Sequence, residues 1–93
     1  MKFKLQIKNT EKLKGSVRDW YMEEFPEDEL GEKLPKRLTF RRVVTALNRG
    51  ENVYDLMGKA ADSIIRERMF GVLSYFLDCE YDDIYKVWLY GRR

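Results

Sequence analysis

Residues 70–89 constrain the fold of this chain most, because they have the pattern of two helices joined by a tight turn. The pattern predicts a helix that ends near Leu77, a turn over residues 78–81 and a last helix over residues 82–90. Apolar and small residues recur where the two helices of a helix-turn-helix unit pack together, at Leu73, Ser74, Leu77, Cys79, Ile84 and Val87. A helical hairpin whose turn only reverses the chain fits the same pattern.

The charge of the last helix argues against DNA binding by this unit. A recognition helix presents basic or amide side chains to the groove, whereas the exposed face here offers Glu80, Asp82 and Asp83. Phosphates would repel these carboxylates. We therefore expect the shape of a helix-turn-helix unit without its usual function.

The composition is that of one small folded domain. The chain has 93 residues, of which 44% are hydrophobic, and its 18 basic and 16 acidic residues leave a net charge of +2. With one cysteine and no histidine, an internal disulfide, Cys/His zinc sites and serine or cysteine nucleophiles activated by histidine are excluded. We expect no enzymatic activity, no metal, no cofactor, no membrane span and a cytoplasmic location.

The first eight residues alternate between apolar and polar side chains. Phe3, Leu5 and Ile7 share one side, which predicts a half-buried β-strand, followed by a loop up to residue 15. No second strand is evident, and a single strand leaves backbone groups unpaired. Its partner would be another stretch of this chain or the same strand of a second copy in a homodimer.

The rest of the chain predicts a mainly α, compact domain of four to five helices within residues 1–93. Ser16 and Thr39 are residue types that cap helix N-termini, and Gly50 is typical of a helix end. Gly71 interrupts the longest helix, and a close helix crossing would account for it. The helices predicted before the last one cover residues 16–25, 40–49, 52–57 and 63–77.

Charge is arranged in blocks along the sequence. Residues 1–18 and 33–50 are basic, and residues 19–32, which lie between them, are acidic. One interpretation is that the blocks face each other as solvated ion pairs, each worth little. The other is that one block is a docking surface.

Aromatic residues near the C-terminus and acidic residues of the middle block are candidates for protein binding. Tyrosine and tryptophan often mark the centres of interfaces, although a small core also uses them. We expect Trp88 to be mostly buried and at least two tyrosines to be partly exposed. The predicted protein-binding residues are Tyr81, Tyr85, Trp88, Tyr90, Glu24 and Glu27.

The basic stretch at residues 33–49 is the candidate for an anionic partner. Four of its side chains could contact phosphates, and the preceding acidic block could mask them. A solvated helix face is the alternative interpretation. The predicted nucleic-acid-binding residues are Lys36, Arg37, Arg41 and Arg42.

Two segments of the C-terminal half carry a resemblance to known proteins: residues 62–70, Asp-Ser-Ile-Ile-Arg-Glu-Arg-Met-Phe, and residues 81–89, Tyr-Asp-Asp-Ile-Tyr-Lys-Val-Trp-Leu. They resemble the C-terminal half of small uncharacterised proteins of phages and conjugative elements of Gram-positive gut bacteria. Residues 38–40 and 52–56 are similar too. The resemblance implies an accessory protein of a mobile element and carries no functional residues. The leading hypothesis is a non-enzymatic protein-binding module of such an element. Nucleic-acid binding through residues 33–49 is the alternative.

Overall fold

The computed structural model describes residues 5–7 and 10–91, and this part of the chain is mainly helical. A Cα radius of gyration of 12.3 Å is that of a compact domain of this length. The prediction of a mainly helical, compact fold is therefore confirmed. The α-helices among these residues are α1 (Thr10–Leu13), α2 (Val17–Glu24), α3 (Phe40–Arg49), α4 (Val53–Met57), α5 (Ser63–Leu77) and α6 (Tyr81–Gly91), and the 3-10 helices are Glu29–Lys33 and Gly58–Ala60.

Local signals set the ends of most helices. The Ser16 hydroxyl accepts a hydrogen bond from the Asp19 N–H at 3.3 Å, and the Thr39 hydroxyl accepts one from the Arg42 N–H at 3.1 Å. Gly50 ends α3 in the left-handed conformation, with a φ of 74°. The predicted starts of α2 and α3 and the predicted end of α3 are confirmed, whereas α1 lies in a segment that was expected to be a loop.

The predicted N-terminal strand is not seen in the part of the chain that the structure describes. Residues 5–7 belong to no strand, and residues 1–4 and 8 of the prediction lie outside the described residues. The side chain of Asn48 in α3 pairs with the backbone of Leu5: the Leu5 N–H donates to Oδ1 at 2.7 Å, and Nδ2 donates to the Leu5 carbonyl at 3.1 Å. Leu5 is buried and its backbone is paired without a sheet, whereas Ile7, the other described apolar residue of the alternation, is 42% exposed. The strand needed for the predicted homodimer is thus not seen in these residues.

The C-terminal hairpin is present, with α5 and α6 joined by a turn at residues 78–80. Asp78 adopts a left-handed conformation with a φ of 54°, and the Asp83 carboxylate accepts a hydrogen bond from the Glu80 N–H at 3.2 Å. Helix α6 packs against both α5 and α3, burying Ile84, Val87 and Trp88. The carboxylates at the start of α6 therefore help to stabilise the turn and the positive end of this helix.

Gly71 does not lie at a close helix crossing. It is exposed, and a Cβ added there would meet no other atom within 4 Å. The explanation expected from the sequence for this glycine is therefore wrong, because α5 buries its other side.

A short antiparallel pairing joins the residues that precede α2 to those that precede α3. Ser16 and Thr39 form an isolated bridge. The Phe40 N–H donates to the Gly15 carbonyl at 3.3 Å, and the Val17 N–H donates to the Leu38 carbonyl at 2.9 Å. The starts of two helices that are more than twenty residues apart in sequence thus lie side by side.

Candidate functional site

The pairing of Ser16 with Thr39 brings together basic residues from two separate blocks of the sequence. Five cationic side chains lie on the paired segments or at their ends, and all are exposed or half-exposed. The Ser16 hydroxyl also donates to the Lys36 carbonyl at 3.3 Å, which keeps the residues before α3 close to α2. We call this group the basic surface, and it consists of Lys14, Arg18, Lys36, Arg37 and Arg41.

Most cations of the basic surface form no ion pair within the part of the chain that the structure describes. Lys36, Arg37 and Arg41 form no ion pair with any of the described residues. The Arg18 guanidinium donates to a backbone carbonyl, that of Glu32, at 3.2 Å. Lys14 lies 4.0 Å from the carboxylate of Glu11, and both side chains are mostly exposed, so this pair contributes little. The positive ends of α2 and α3 add potential of the same sign.

The described residues of the two basic blocks form no ion pairs with the acidic block. Two exposed acidic residues lie next to Arg18: Asp19 follows it in the sequence, and Glu32 contacts it through a backbone carbonyl. The five cations of the basic surface are exposed or half-exposed, so positive charge is concentrated on this part of the surface although the whole chain has a net charge of only +2.

One of the four predicted nucleic-acid-binding residues does not join the basic surface. Arg42 donates to the Glu51 carboxylate at 2.7 Å, and Arg49 lies 3.9 Å from the other oxygen of the same carboxylate. The hydrogen bond from Arg42 holds the pKa of Glu51 below its ordinary value. Sequence reasoning found Lys36, Arg37 and Arg41 but missed two residues. No local pattern signals that Lys14 and Arg18 lie beside them.

The C-terminal aromatic residues pack against the core. Trp88 is 8% exposed, as expected, and Tyr81 and Tyr85 are half-buried and stack with ring centroids 6.3 Å apart. Tyr90 and Tyr75 are the exposed tyrosines, at 67% and 73%. Of the four predicted aromatic contact residues, Tyr90 alone presents most of its ring to solvent.

A buried arginine lies at the centre of this aromatic group. Arg66 of α5 is 5% exposed, and its guanidinium carbon lies 4.4 Å from the ring centre of Trp88 and 5.0 Å from that of Phe70. Its Nε donates to the Tyr54 hydroxyl at 3.1 Å, while its Nη1 is buried and has no hydrogen-bond acceptor among the described residues. The aromatic residues thus surround a structural cation.

The acidic candidates Glu24 and Glu27 lie at a different place. They line a shallow pocket of about 250 Å³ together with Phe25, Asp28 and Arg68. Arg68 stacks 4.1 Å from the ring centre of Phe25 and lies 3.4 Å from the Asp28 carboxylate. The pocket's cation is therefore already engaged within the fold.

The aromatic and acidic candidates do not form one surface. Arg66 contacts the aromatic group and Arg68 contacts the acidic segment, and residues two apart on a helix point about 200° apart. The two predicted halves of the protein-binding site therefore lie on opposite sides of α5. A single partner would have to reach around this helix to contact both.

Tyr21 links the acidic segment to the core. It is fully buried, its hydroxyl donates to the Asp28 carboxylate, and Arg68 donates to that hydroxyl at 2.7 Å. Burial, and then the hydrogen bond to Asp28, raise the pKa of Tyr21 above the ordinary value near 10, and Arg68 offsets part of this rise.

The raised pKa of Tyr21 leads to an expected alkaline transition. The neutral phenol stabilises the fold fully below pH 10, and this contribution is lost as the pH rises through the folded-state pKa, because only the unfolded chain ionises readily. Absorbance at 295 nm, recorded for the wild type and for Tyr21→Phe, should show that the extra phenol ionises above pH 10 and together with unfolding. Ionisation of Tyr21 below pH 10 in the folded protein would contradict this expectation.

Among the described residues, no helix combines the length and apolar character needed to cross a bilayer, and no three His, Cys, Asp or Glu side chains are grouped so as to hold a metal ion. Comparison with family models, with curated proteins and with solved structures gives no match to this chain.

Proposed function

We propose that this chain is a non-enzymatic module that binds the phosphate backbone of nucleic acid through the basic surface. The observation that carries the proposal is the convergence of five cations, four of them without an ion-pair partner in residues 5–7 and 10–91. Clustered cations near one another repel, and a polyanion relieves this repulsion while it releases its own counter-ions.

The basic surface favours phosphates over bases. The paired segments, residues 14–18 and 36–41, contain one aromatic residue, Phe40, and this ring is 1% exposed. A surface without exposed aromatic rings cannot stack unpaired bases as single-strand binders do. We therefore expect contact with phosphates more than with bases, and such contact carries little sequence information.

The helical hairpin plays no part in this contact. Glu80 and Asp82 are exposed at the start of α6, where they would repel phosphates. The proposed surface is built instead from residues just before and within the first turns of α2 and α3. The proposal is therefore compatible with the expectation that the hairpin does not bind DNA.

Five cations limit how strongly binding depends on salt. If each cation contacts one phosphate, a plot of the logarithm of the association constant against the logarithm of the salt concentration has a slope no steeper than about −4.5. Removal of one contact makes this slope shallower by about 0.9 and weakens binding at 50 mM salt by up to about 15-fold.

The test compares Arg37→Gln with Lys86→Gln. Both replace one exposed cation that has no ion-pair partner among the described residues, but Lys86 lies on α6. Fluorescence anisotropy of a labelled 20-base-pair duplex, measured from 50 to 200 mM salt, should show the loss for Arg37→Gln alone. Equal losses would mean that only the total charge matters. Failure of the wild type to bind at 50 mM salt would end the proposal.

Protein binding is the second candidate function, and the exposed end of α6 favours it. Leu89 is 42% exposed and Tyr90 is 67% exposed, so a small apolar area is available there. An accessory role in a mobile element and a cytoplasmic location stay predictions, and both are compatible with either candidate function. Binding through Leu89 and Tyr90 would be insensitive to Arg37→Gln.

A further inference from the structure

We infer that Glu51 limits the number of cations in the basic surface. Its carboxylate pairs with Arg42 and Arg49 of α3, and this pairing keeps both arginines from binding a polyanion. The inference rests on the proposed function, because it concerns which cations take part in that contact. It assigns to an acidic residue outside the basic surface the role of a built-in competitor for phosphate.

The backbone at the end of α3 positions this carboxylate. Gly50 adopts the left-handed conformation, its N–H donates to the Leu47 carbonyl at 3.2 Å, and the Glu51 N–H donates to the Ala46 carbonyl at 2.9 Å. These two bonds form the turn that commonly closes a helix and folds the chain back over its last turn. The Glu51 side chain is thereby held beside the last two turns of α3.

The carboxylate uses both oxygens on cations of α3. Oε1 accepts from Nη2 of Arg42 at 2.7 Å, and Oε2 lies 3.9 Å from Nη1 of Arg49. Arg42 thus reaches from the first turn of α3 towards its last turn, away from the pairing of Ser16 with Thr39. The neighbouring Arg41 forms no ion pair with the described residues and stays in the basic surface.

The location of Glu51 determines how far a polyanion can extend. A nucleic-acid backbone that extends from Arg41 along α3 would next reach Arg42 and Arg49, and the Glu51 carboxylate lies beside both of these cations. The side chains of Arg42, Glu51 and Arg49 are 43%, 35% and 70% exposed, so their pairing is open to water and salt and can be lost without disturbing the core. Removal of the negative charge should therefore add two cations to the surface and leave the fold intact.

The experiment compares Glu51→Gln with Asp55→Asn. Both variants remove one negative charge and keep the size of the side chain, and Asp55 is exposed on α4 without an ion-pair partner in the described part of the chain. In the duplex anisotropy assay, Glu51→Gln should make the salt slope steeper by up to about 1.8 and tighten binding at 50 mM salt at least about threefold. Asp55→Asn should leave the slope unchanged.

A third variant identifies the cation that is released. Arg42→Gln, introduced into Glu51→Gln, should remove about half of the added slope, whereas in the wild-type background it should change the slope little. Circular dichroism of all variants checks that the helices are retained.

The outcomes separate the two proposals. Equal slopes for Glu51→Gln and Asp55→Asn, with a wild type that binds, would overturn the role of Glu51 and leave the proposed function standing. Absence of duplex binding by the wild type and by Glu51→Gln would overturn both. Binding by Glu51→Gln alone would overturn the proposed function, because the basic surface of the wild type would then not be sufficient to bind a duplex.

Discussion

Replacement of Gly31 by alanine is expected to lower the free energy of unfolding by about 1–3 kcal/mol, because the site has no room for a methyl group. An added Cβ would lie 2.5 Å from Cδ1 and 2.9 Å from Cε1 of Tyr21. The ring cannot move aside easily, since Tyr21 is fully buried and its hydroxyl is bonded to Asp28 and Arg68. Urea denaturation followed by circular dichroism measures the change.

Gly71→Ala is the matched control for this substitution. It makes the same chemical change inside α5, where a Cβ meets nothing within 4 Å, and alanine is favoured over glycine in a helix by up to about 1 kcal/mol. We expect this variant to be more stable than the wild type. If both substitutions changed stability in the same direction, steric contact at Gly31 would not be the deciding factor.

Truncation of Arg66 to alanine is expected to lower the free energy of unfolding by about 2–4 kcal/mol. The change removes the stem of a side chain that is 5% exposed and its stacking on Trp88 and Phe70, and cation–π contacts are strongest where water is excluded. It also leaves a cavity between α5 and α6. Thermal and urea denaturation should both report the loss.

Arg66→Met separates packing from charge. Methionine fills most of the same volume and leaves no buried cation, whereas the wild-type guanidinium has one nitrogen without an acceptor in residues 5–7 and 10–91. We expect a cost below about 1.5 kcal/mol. A cost equal to that of Arg66→Ala would mean that the cation–π contacts and the bond to Tyr54 outweigh the penalty of burying the charge.

The ends of several helices could be predicted from the sequence. Ser16 and Thr39 cap helices, and Gly50 ends one, through bonds that span three to five residues. Such bonds depend only on neighbouring residue types, so the pattern in the sequence indicates them directly. The long helix α5 begins and ends where its apolar periodicity indicates, at Ser63–Leu77.

The N-terminal strand shows where a local pattern was insufficient. Alternation at residues 3, 5 and 7 usually predicts a half-buried strand, but of the described residues in this pattern Leu5 is buried and Ile7 is 42% exposed. In the described residues, the backbone of Leu5 pairs with the side chain of Asn48, forty-three residues away. Nothing near Leu5 in the sequence indicates that partner.

The candidate site divides in the same way. The sequence by itself identified Lys36, Arg37 and Arg41 as unusual, because a run of cations without acids is visible locally. Only the tertiary structure placed Lys14 and Arg18 beside them and removed Arg42, since the pairing of Ser16 with Thr39 and the ion pair with Glu51 join residues that local propensity cannot relate.

Hydrogen bonds within one turn of a helix follow from residue type, and the sequence determined them. The neighbours of each charge depend on how the helices pack, because burial of apolar surface favours compact arrangements without specifying which charges become adjacent. The helices of this protein are therefore a property of its sequence pattern, and its basic surface is a property of its tertiary structure.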